Sequence, residues 1–323
     1  MKRKLITTTR VIMFGFLIGA LLGSVLLMLP ISLKHGIQLD YIDALFVSVS
    51  SICVTGLSTV NIGETFSLFG QLILLLIIQM GGLGVVTFTT MLLVIFRQKI
   101  TLKDRILIQN AYNLDTLTGL VKLTLRIVKV TLIIEGIGAF FYCFVFVPQY
   151  GKLGLWYAIF HSVSAFCNAG IDLLGGNSFC VYRDHVLLNF TTMFLIVAGG
   201  IGFPVYWEIA RKAKNIYNGI DEDRRMSFHA RFVILVTAIL ILLGMLVTLV
   251  IEFNNPKTLG NLSFPQKLMA SLFQSVTLRT AGFATIDQGG FKSASCMLYL
   301  VLMFIGGSPA GTAGEPPINI STR

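Results

Sequence analysis

Two stretches of this chain, Val11 to Leu33 and Phe66 to Phe96, contain no charged residue. Each is long enough to cross a bilayer core, which takes about 20 helical residues. That property constrains the fold more than length does, because 323 residues of soluble protein would suggest about two domains. With 55% hydrophobic and only 12% charged residues, there is too little charge to keep a soluble surface dispersed. The expected class is an all-α polytopic membrane protein. The N-terminal Met1-Lys2-Arg3-Lys4 followed by an apolar run resembles a secretory leader. The run is too long for a leader core and lacks a small-residue cleavage site, so it reads as an uncleaved first helix.

Three short segments recur along the chain: Val54-Thr55-Gly56-Leu57, Asn168-Ala169-Gly170-Ile171 and Thr280-Ala281-Gly282-Phe283, with glycine-to-glycine steps of 114 and 112 residues. Each follows a run of about 12 residues that is apolar but too short to span, and each precedes a long apolar stretch. Such short runs fit as half-helices that dip into the membrane and stop midway. Non-helical backbone at that depth is tolerated only where protein buries it or where it lines an aqueous cavity. The loops then have a use: their carbonyls can replace the water around a bare cation, while the negative helix ends face a shared cavity. Glycine permits the positive φ that turns successive carbonyls toward one axis. A single small-residue pair would carry no information, since such residues also pack membrane helices. Three at matched spacing with matched flanks indicate an ion-conducting repeat.

Charge gives the expected orientation. Four of the 25 Lys and Arg lie in the first ten residues, seven between Arg97 and Lys129, and six between Arg211 and Arg231. The connections beside the glycine loops hold six, namely Lys34, Lys152, Arg183, Lys257, Lys267 and Lys292. By the positive-inside rule the three clusters are cytoplasmic, the N-terminus is cytoplasmic and the loops open outward. The net charge of +10 is thereby explained as topology, with no nucleic-acid partner required. A basic face on anionic membrane lipid is compatible with it.

The predicted organisation is a first pore unit over 1–97, a cytoplasmic linker over 98–122, a second pore unit over 123–211, a linker over 212–230, a third pore unit over 231–314 and an atypical tail over 315–323. Crossing helices are expected at Val11 to Leu33, Leu125 to Val147 and Phe232 to Ile251. Half-helices are expected at Tyr41 to Ile52, Gly154 to Phe166 and Pro265 to Leu278. Return helices are expected at Phe69 to Phe96, Val186 to Ala210 and from Ser295. The filter residues are Val54, Thr55 and Gly56; Asn168, Ala169 and Gly170; and Thr280, Ala281 and Gly282.

Glycine clusters mark the return helices: Gly81, Gly82 and Gly84, then Gly199, Gly200 and Gly202, then Gly306 and Gly307. In the first two, close helix packing is the expected reason. The third continues as Gly306-Gly307-Ser308-Pro309-Ala310-Gly311-Thr312-Ala313-Gly314, too rich in glycine and too broken by proline for plain helix, and reads as a gating loop below the filter. A kinked helix end is the alternative. The spacing after Gly84 and Gly202 fails the dinucleotide fingerprint and no strand precedes either, which excludes a nucleotide site.

Several single residues invite particular roles. Glu135, in the middle of a crossing helix, reads as paired with a polar neighbour, with ion coupling as the alternative. His161 reads as a hydrogen-bonded packing residue, with pH sensing as the alternative. Arg279 would repel a cation if it faced the pore, so it is expected to point backwards and support the filter loop. Asp172 and Asp287 either concentrate cations outside the filters or simply bond turn backbone. Gln98 to Leu120 reads as an interfacial helix or docking surface, and Asp221 to Arg225 as a solvated turn. The five cysteines contain no CxxC pair, so neither a zinc site nor a disulfide framework is expected.

These residues carry a resemblance. Cys53-Val54-Thr55-Gly56-Leu57, the run from Phe160 to Gly170, Arg279-Thr280-Ala281-Gly282-Phe283 and the run from Gly306 to Gly314 resemble signatures of the membrane subunit, of KtrB type, in bacterial Trk/Ktr potassium uptake systems. The resemblance extends to about Gly314. It implies a pseudo-fourfold ring of membrane-pore-membrane units, potassium as transported ion, selection at the glycine filters and a gating loop in the third unit. It further implies a homodimer in the plasma membrane, a cytosolic nucleotide-binding regulatory ring of KtrA type, and sodium as a stimulating ion. Gly56 is the potassium-type residue, where relatives that move sodium have serine. Family members continue with a fourth unit, whereas this sequence reads Glu315-Pro316-Pro317-Ile318-Asn319-Ile320-Ser321-Thr322-Arg323. On the resemblance that tail is a truncated end, and a non-conducting fragment is an alternative function, as is a cation/sodium symporter.

Other classes fit less well. An alternating-access carrier is expected to show inverted repeats, yet these all begin on the cytoplasmic side. An intramembrane enzyme needs a cluster of catalytic groups within the spans, and Glu135 by itself does not supply one. No enzyme activity, resident metal or covalent cofactor is expected.

Overall fold

A computed structural model describes residues 8–95, 119–175, 178–217, 226–307 and 312. The chain runs through α1 (Thr8–Leu27), α2 (Tyr41–Ile52), α3 (Leu68–Gly82), α4 (Val85–Ile95), α5 (Leu120–Tyr150), α6 (Lys152–Phe166), α7 (Val186–Ile201), α8 (Phe203–Tyr217), α9 (Phe228–Glu252), α10 (Phe264–Thr277) and α11 (Ser293–Ile305). Every regular element among the described residues is helical, as the composition and apolar periodicity required. By length and composition α5 and α9 can each cross a membrane, and the bent pairs α3–α4 and α7–α8 raise the count to four. Their outward faces are apolar, with Phe140 and Phe144 on α5 and Leu235, Leu242 and Leu246 on α9 all more than half exposed. Water would penalise that surface, whereas lipid does not.

Three groups of helices form around the short ones. α1 and α3 pack on α2, α5 and α7 pack on α6, and α9 packs on α10 and α11. Contacts of α3 with α6 and of α7 with α10 join the groups. The short helices α2, α6 and α10 run over the spans expected for half-helices to within two residues, since their semi-polar ends and flanking Gly, Pro and Asp positions bound them. They supply the interior: every residue from Phe160 to Phe166 is buried, as are Phe273 and Val276. α1 stops at Leu27, six residues short of the expected end, and a single 3-10 turn over Pro30–Ser32 follows, because proline lacks the donor a continuing helix needs.

Two return helices differ from expectation. Each was expected as one continuous helix; instead the chain bends by 112° between α3 and α4 and by 99° between α7 and α8. Gly84 at φ 80° and Gly202 at φ 90° interrupt the ladder in the left-handed region that glycine enters without steric cost. Neighbouring glycines remain helical and serve packing. A Cβ on Gly81 would lie 2.2 Å from the Ile52 carbonyl, on Gly82 2.6 Å from Cys167 Sγ, and on Gly199 1.9 Å from the Phe166 carbonyl. These two clusters therefore each contain at least one contact glycine and a breaking glycine. Beyond the second bend, the Arg126 guanidinium of α5 lies 5.4 Å from the Trp207 ring of α8. The surface helix expected over 98–120 falls outside the described residues except for Gly119 and Leu120, as does Asp221 to Arg225.

Candidate functional site

Each half-helix ends on a residue in right-handed conformation, Cys53, Cys167 or Leu278, and the chain then alternates its hand. Val54 and Gly56 have φ 58° and 79°, Asn168 and Gly170 56° and 62°, and Thr280 and Gly282 64° and 80°. Alternating signs of φ turn consecutive carbonyls to the same side, unlike the two-sided display of a strand. Val54 and Thr280 are β-branched, so positive φ costs about 1–3 kcal/mol at each. Strain of that kind persists only where the surroundings fix the conformation.

Hydrogen bonds fix it from behind. The Thr55 amide donates to the Ser50 carbonyl at 2.9 Å, Ala169 to Ser164 at 2.8 Å and Ala281 to Thr277 at 2.9 Å. The Ser50 hydroxyl accepts from the Leu57 amide at 2.9 Å and the Ser164 hydroxyl from the Ile171 amide at 3.0 Å. In the third loop Thr277 occupies the equivalent position, and its hydroxyl donates to the Phe283 carbonyl at 2.6 Å, as the Ser164 hydroxyl does to the Ile171 carbonyl at 2.7 Å. With amides drawn back toward the half-helix, carbonyls remain for the other side.

The three loops meet. A Cβ on Gly170 would lie 2.5 Å from Gly282 Cα and from the Ala281 carbonyl oxygen; one on Gly282 would lie 2.9 Å from Gly170 Cα and 3.3 Å from Gly56 Cα. One on Gly56 would lie 2.8 Å from the Ala169 carbonyl oxygen. Glycine is thus required twice over at each position, by conformation and by approach. The carboxyl ends of α2, α6 and α10 run into these loops, and their partial negative charge favours a cation nearby.

Charged side chains around the loops are turned to other partners. Arg279, only 8% exposed, donates from Nε to the Gly306 carbonyl at 3.3 Å. Both Glu135 oxygens accept from Gln79 Nε2 at 2.7 Å, and Cys167 Sγ lies 3.5 Å from Gln79 Oε1. Glu135 is therefore a paired residue, and Gln79 is a partner that nothing in the linear sequence singled out. His161 Nδ1 donates to the Tyr157 carbonyl at 2.7 Å while Nε2 accepts from the Leu173 amide at 3.2 Å, a packing arrangement of the neutral ring beside the second loop. Asp287 Oδ1 accepts from the Gly289 amide at 3.0 Å, bonding turn backbone.

Asp172 follows the second loop, outside the spanning segments. Burial pushes its carboxyl up to about 6, offset in part by hydrogen bonds from the Leu174 and Gly175 amides and the Ser178 hydroxyl. Its charge is therefore set by pH in the physiological range. Phe179 stacks on Phe283 with ring centroids 4.8 Å apart, and the Ser178 hydroxyl accepts from the Ala284 amide at 3.2 Å, tying the connection after the second glycine loop to the third loop.

Beneath the loops, Gly306 takes φ 59° and ends α11. Thr312 donates from its amide to the Gly199 carbonyl at 3.0 Å and from its hydroxyl to the Phe166 carbonyl at 2.7 Å, at the end of α6. Gly307 is described; Ser308, Pro309, Ala310, Gly311, Ala313 and Gly314 lie outside the described residues. Sequence reasoning also missed Glu252, whose buried carboxylate accepts from Asn255, Thr258, Ser295 and the Lys292 amide and holds together the connections at the end of α9. Among the described residues no group of three or more His, Cys, Asp or Glu can hold a metal ion.

Comparison with known proteins gives this geometry a context. Residues 7–315 match the family model TrkH, described as cation transport protein. The chain is 39% identical over 308 residues to the Ktr system potassium uptake protein B of Bacillus subtilis, covering 95% of this chain and 67% of that protein. It is 37% identical over 313 residues to the potassium/sodium uptake protein NtpJ of Enterococcus hirae, with 97% and 67% covered. Its fold is similar to that of the potassium transporter TrkH from Vibrio parahaemolyticus, at TM-score 0.68 and 18% identity over 97% of this chain and 59% of that one.

Proposed function

The chain belongs to the TrkH family of cation transport proteins, and on that premise we propose that it takes up potassium across the plasma membrane through a filter built from its three glycine loops. The observation that carries this reading is the meeting of Gly56, Gly170 and Gly282, each in a loop of alternating hand. The carbonyls of Val54 to Gly56, Asn168 to Gly170 and Thr280 to Gly282 replace the hydration shell of the ion, and the half-helix ends stabilise its charge. These loops form sides of a pseudo-fourfold pore. Each belongs to a pore unit, over 1–97, 123–211 and 231–314, with the basic linkers and the N-terminus in the cytoplasm.

Below the filter, the segment from Gly306 to Gly314 acts as the gate. The bonds of Thr312 to the end of α6 and to the Gly199 carbonyl support a place for that residue beside the second loop. Arg279 holds the near end of this segment through the Gly306 carbonyl, which keeps its own charge off the ion path. The relative named as part of a Ktr system supports an accessory assembly, here a cytosolic nucleotide-binding ring beneath a homodimer. The potassium/sodium relative supports sodium as a second ion that stimulates uptake.

Growth of a potassium-uptake-deficient bacterial strain on low potassium tests the reading. The chain is expected to restore growth and Gly56→Asp to abolish it, because a side chain there meets the Ala169 carbonyl and adds a fixed charge. Equal growth with both would overturn the assignment of the glycine loops.

A further inference from the structure

A half-helix that ends inside a membrane has to be held at a defined depth, since the loop it delivers must meet its counterparts at one level. In each of the three groups the same joint occurs between the half-helix and the long helix that precedes it. Ser48 of α2 donates to the Ala20 carbonyl of α1 at 2.7 Å, Ser162 of α6 to the Glu135 carbonyl of α5 at 2.6 Å, and Ser275 of α10 to the Ile241 carbonyl of α9 at 2.6 Å. Three residues beyond each acceptor stands a glycine, Gly23, Gly138 or Gly244, and a Cβ on any of them would lie 2.4 Å from the serine oxygen. The glycine lets the half-helix approach; the hydroxyl then chooses which carbonyl it meets.

All three serines are at most 2% exposed. They lie eight, eight and seven residues before Gly56, Gly170 and Gly282, about two helical turns. A slide of the half-helix along its neighbour would carry its filter glycine away from the shared point by the same distance. Apolar packing against lipid-like surroundings resists such a slide weakly, because leucine-on-leucine contacts are nearly equivalent at neighbouring registers, whereas a hydroxyl-to-carbonyl bond is not.

We propose that Ser48, Ser162 and Ser275 are positioning residues for cation selection: their hydroxyls fix the depth at which each half-helix stops and so level the three filter glycines. The proposal rests on the reading that these glycine loops select potassium.

The test uses the full chain in potassium-uptake-deficient cells, with membrane abundance measured alongside rubidium uptake and its inhibition by sodium. Single Ser48→Ala, Ser162→Ala and Ser275→Ala variants are expected to raise the apparent KM for rubidium and to weaken discrimination against sodium by about three- to tenfold, the scale of one interhelical hydrogen bond in a membrane. Ser→Thr variants, which keep the donor, are expected to stay within about twofold of wild type on the same ground. Alanine variants with wild-type KM and sodium discrimination overturn the proposal, whatever their abundance, because the hydroxyl is then only a folding contact. Equal impairment of the Ala and Thr variants overturns it as well, since volume and not the donor would be responsible. Gly56→Asp in the same assay separates the two levels. If it abolishes uptake while the alanine variants are normal, this proposal fails and the filter reading stands; if it transports normally, both fall.

Discussion

Asp172 shows how one side chain connects burial to a pH dependence. Its carboxyl sits at about 6 because burial disfavours the charged form more than three hydrogen bonds favour it. Above that pH it is a carboxylate two residues after Gly170, and on the proposed reading its charge favours a nearby cation; below it the charge is lost. Rubidium affinity is therefore expected to weaken as external pH falls through 6, and Asp172→Asn to show the weaker affinity throughout with a flat profile over that window. An Asn variant that keeps the wild-type pH profile would rule out this residue. The sequence shows an aspartate two residues after a loop glycine; the structure shows it bonding turn backbone, with the Leu174 amide donating to Oδ1 at 3.0 Å, and its burial is a tertiary property that no local pattern marks. The same limit hides Gln79: its partner Glu135 lies 56 residues away, and nothing local marks the pair.

At the scale of elements, periodicity located the helices well because each is a continuous apolar or semi-polar run with punctuation at its ends. It failed at Gly84 and Gly202, where apolar sequence continues across a sharp bend and only the sign of φ changes. Glycine has two uses in such a cluster, and adjacent positions separate them. A Cβ on Gly199 would lie 1.9 Å from the Phe166 carbonyl oxygen, backbone that cannot yield, whereas one on Gly200 would meet only the Asn168 side-chain amide at an ordinary 3.5 Å. Gly199→Ala is accordingly expected to destabilise the protein by about 2 kcal/mol or more, as overpacking does. Gly200→Ala is expected to be neutral or slightly stabilising, helix propensity favouring alanine by about 1 kcal/mol. Thermal unfolding of the purified variants in detergent checks this, and equal midpoints for the two would contradict the packing described here.

Across the whole molecule, the pattern legible in the sequence was repetition: three glycine loops after three short helices, between basic segments. What could not be read was how the repeats contact one another. The serine-to-carbonyl joints, the stack of Phe179 on Phe283 and the reach of Thr312 to the end of α6 all join residues far apart in the chain, through contacts that leave no periodic trace. Spacing shows that three loops are alike; three dimensions show that they meet. Fold and family follow from hydropathy and from motifs in combination. The proposed ion path rests on one geometrical fact, the close approach of Gly56, Gly170 and Gly282. The most direct measurement is a density map of the protein in rubidium, collected for anomalous scattering. The account expects a peak on the axis bounded by the carbonyls of residues 54–56, 168–170 and 280–282. A map with ordered loops and no peak there, or with rubidium bound only elsewhere, would contradict it.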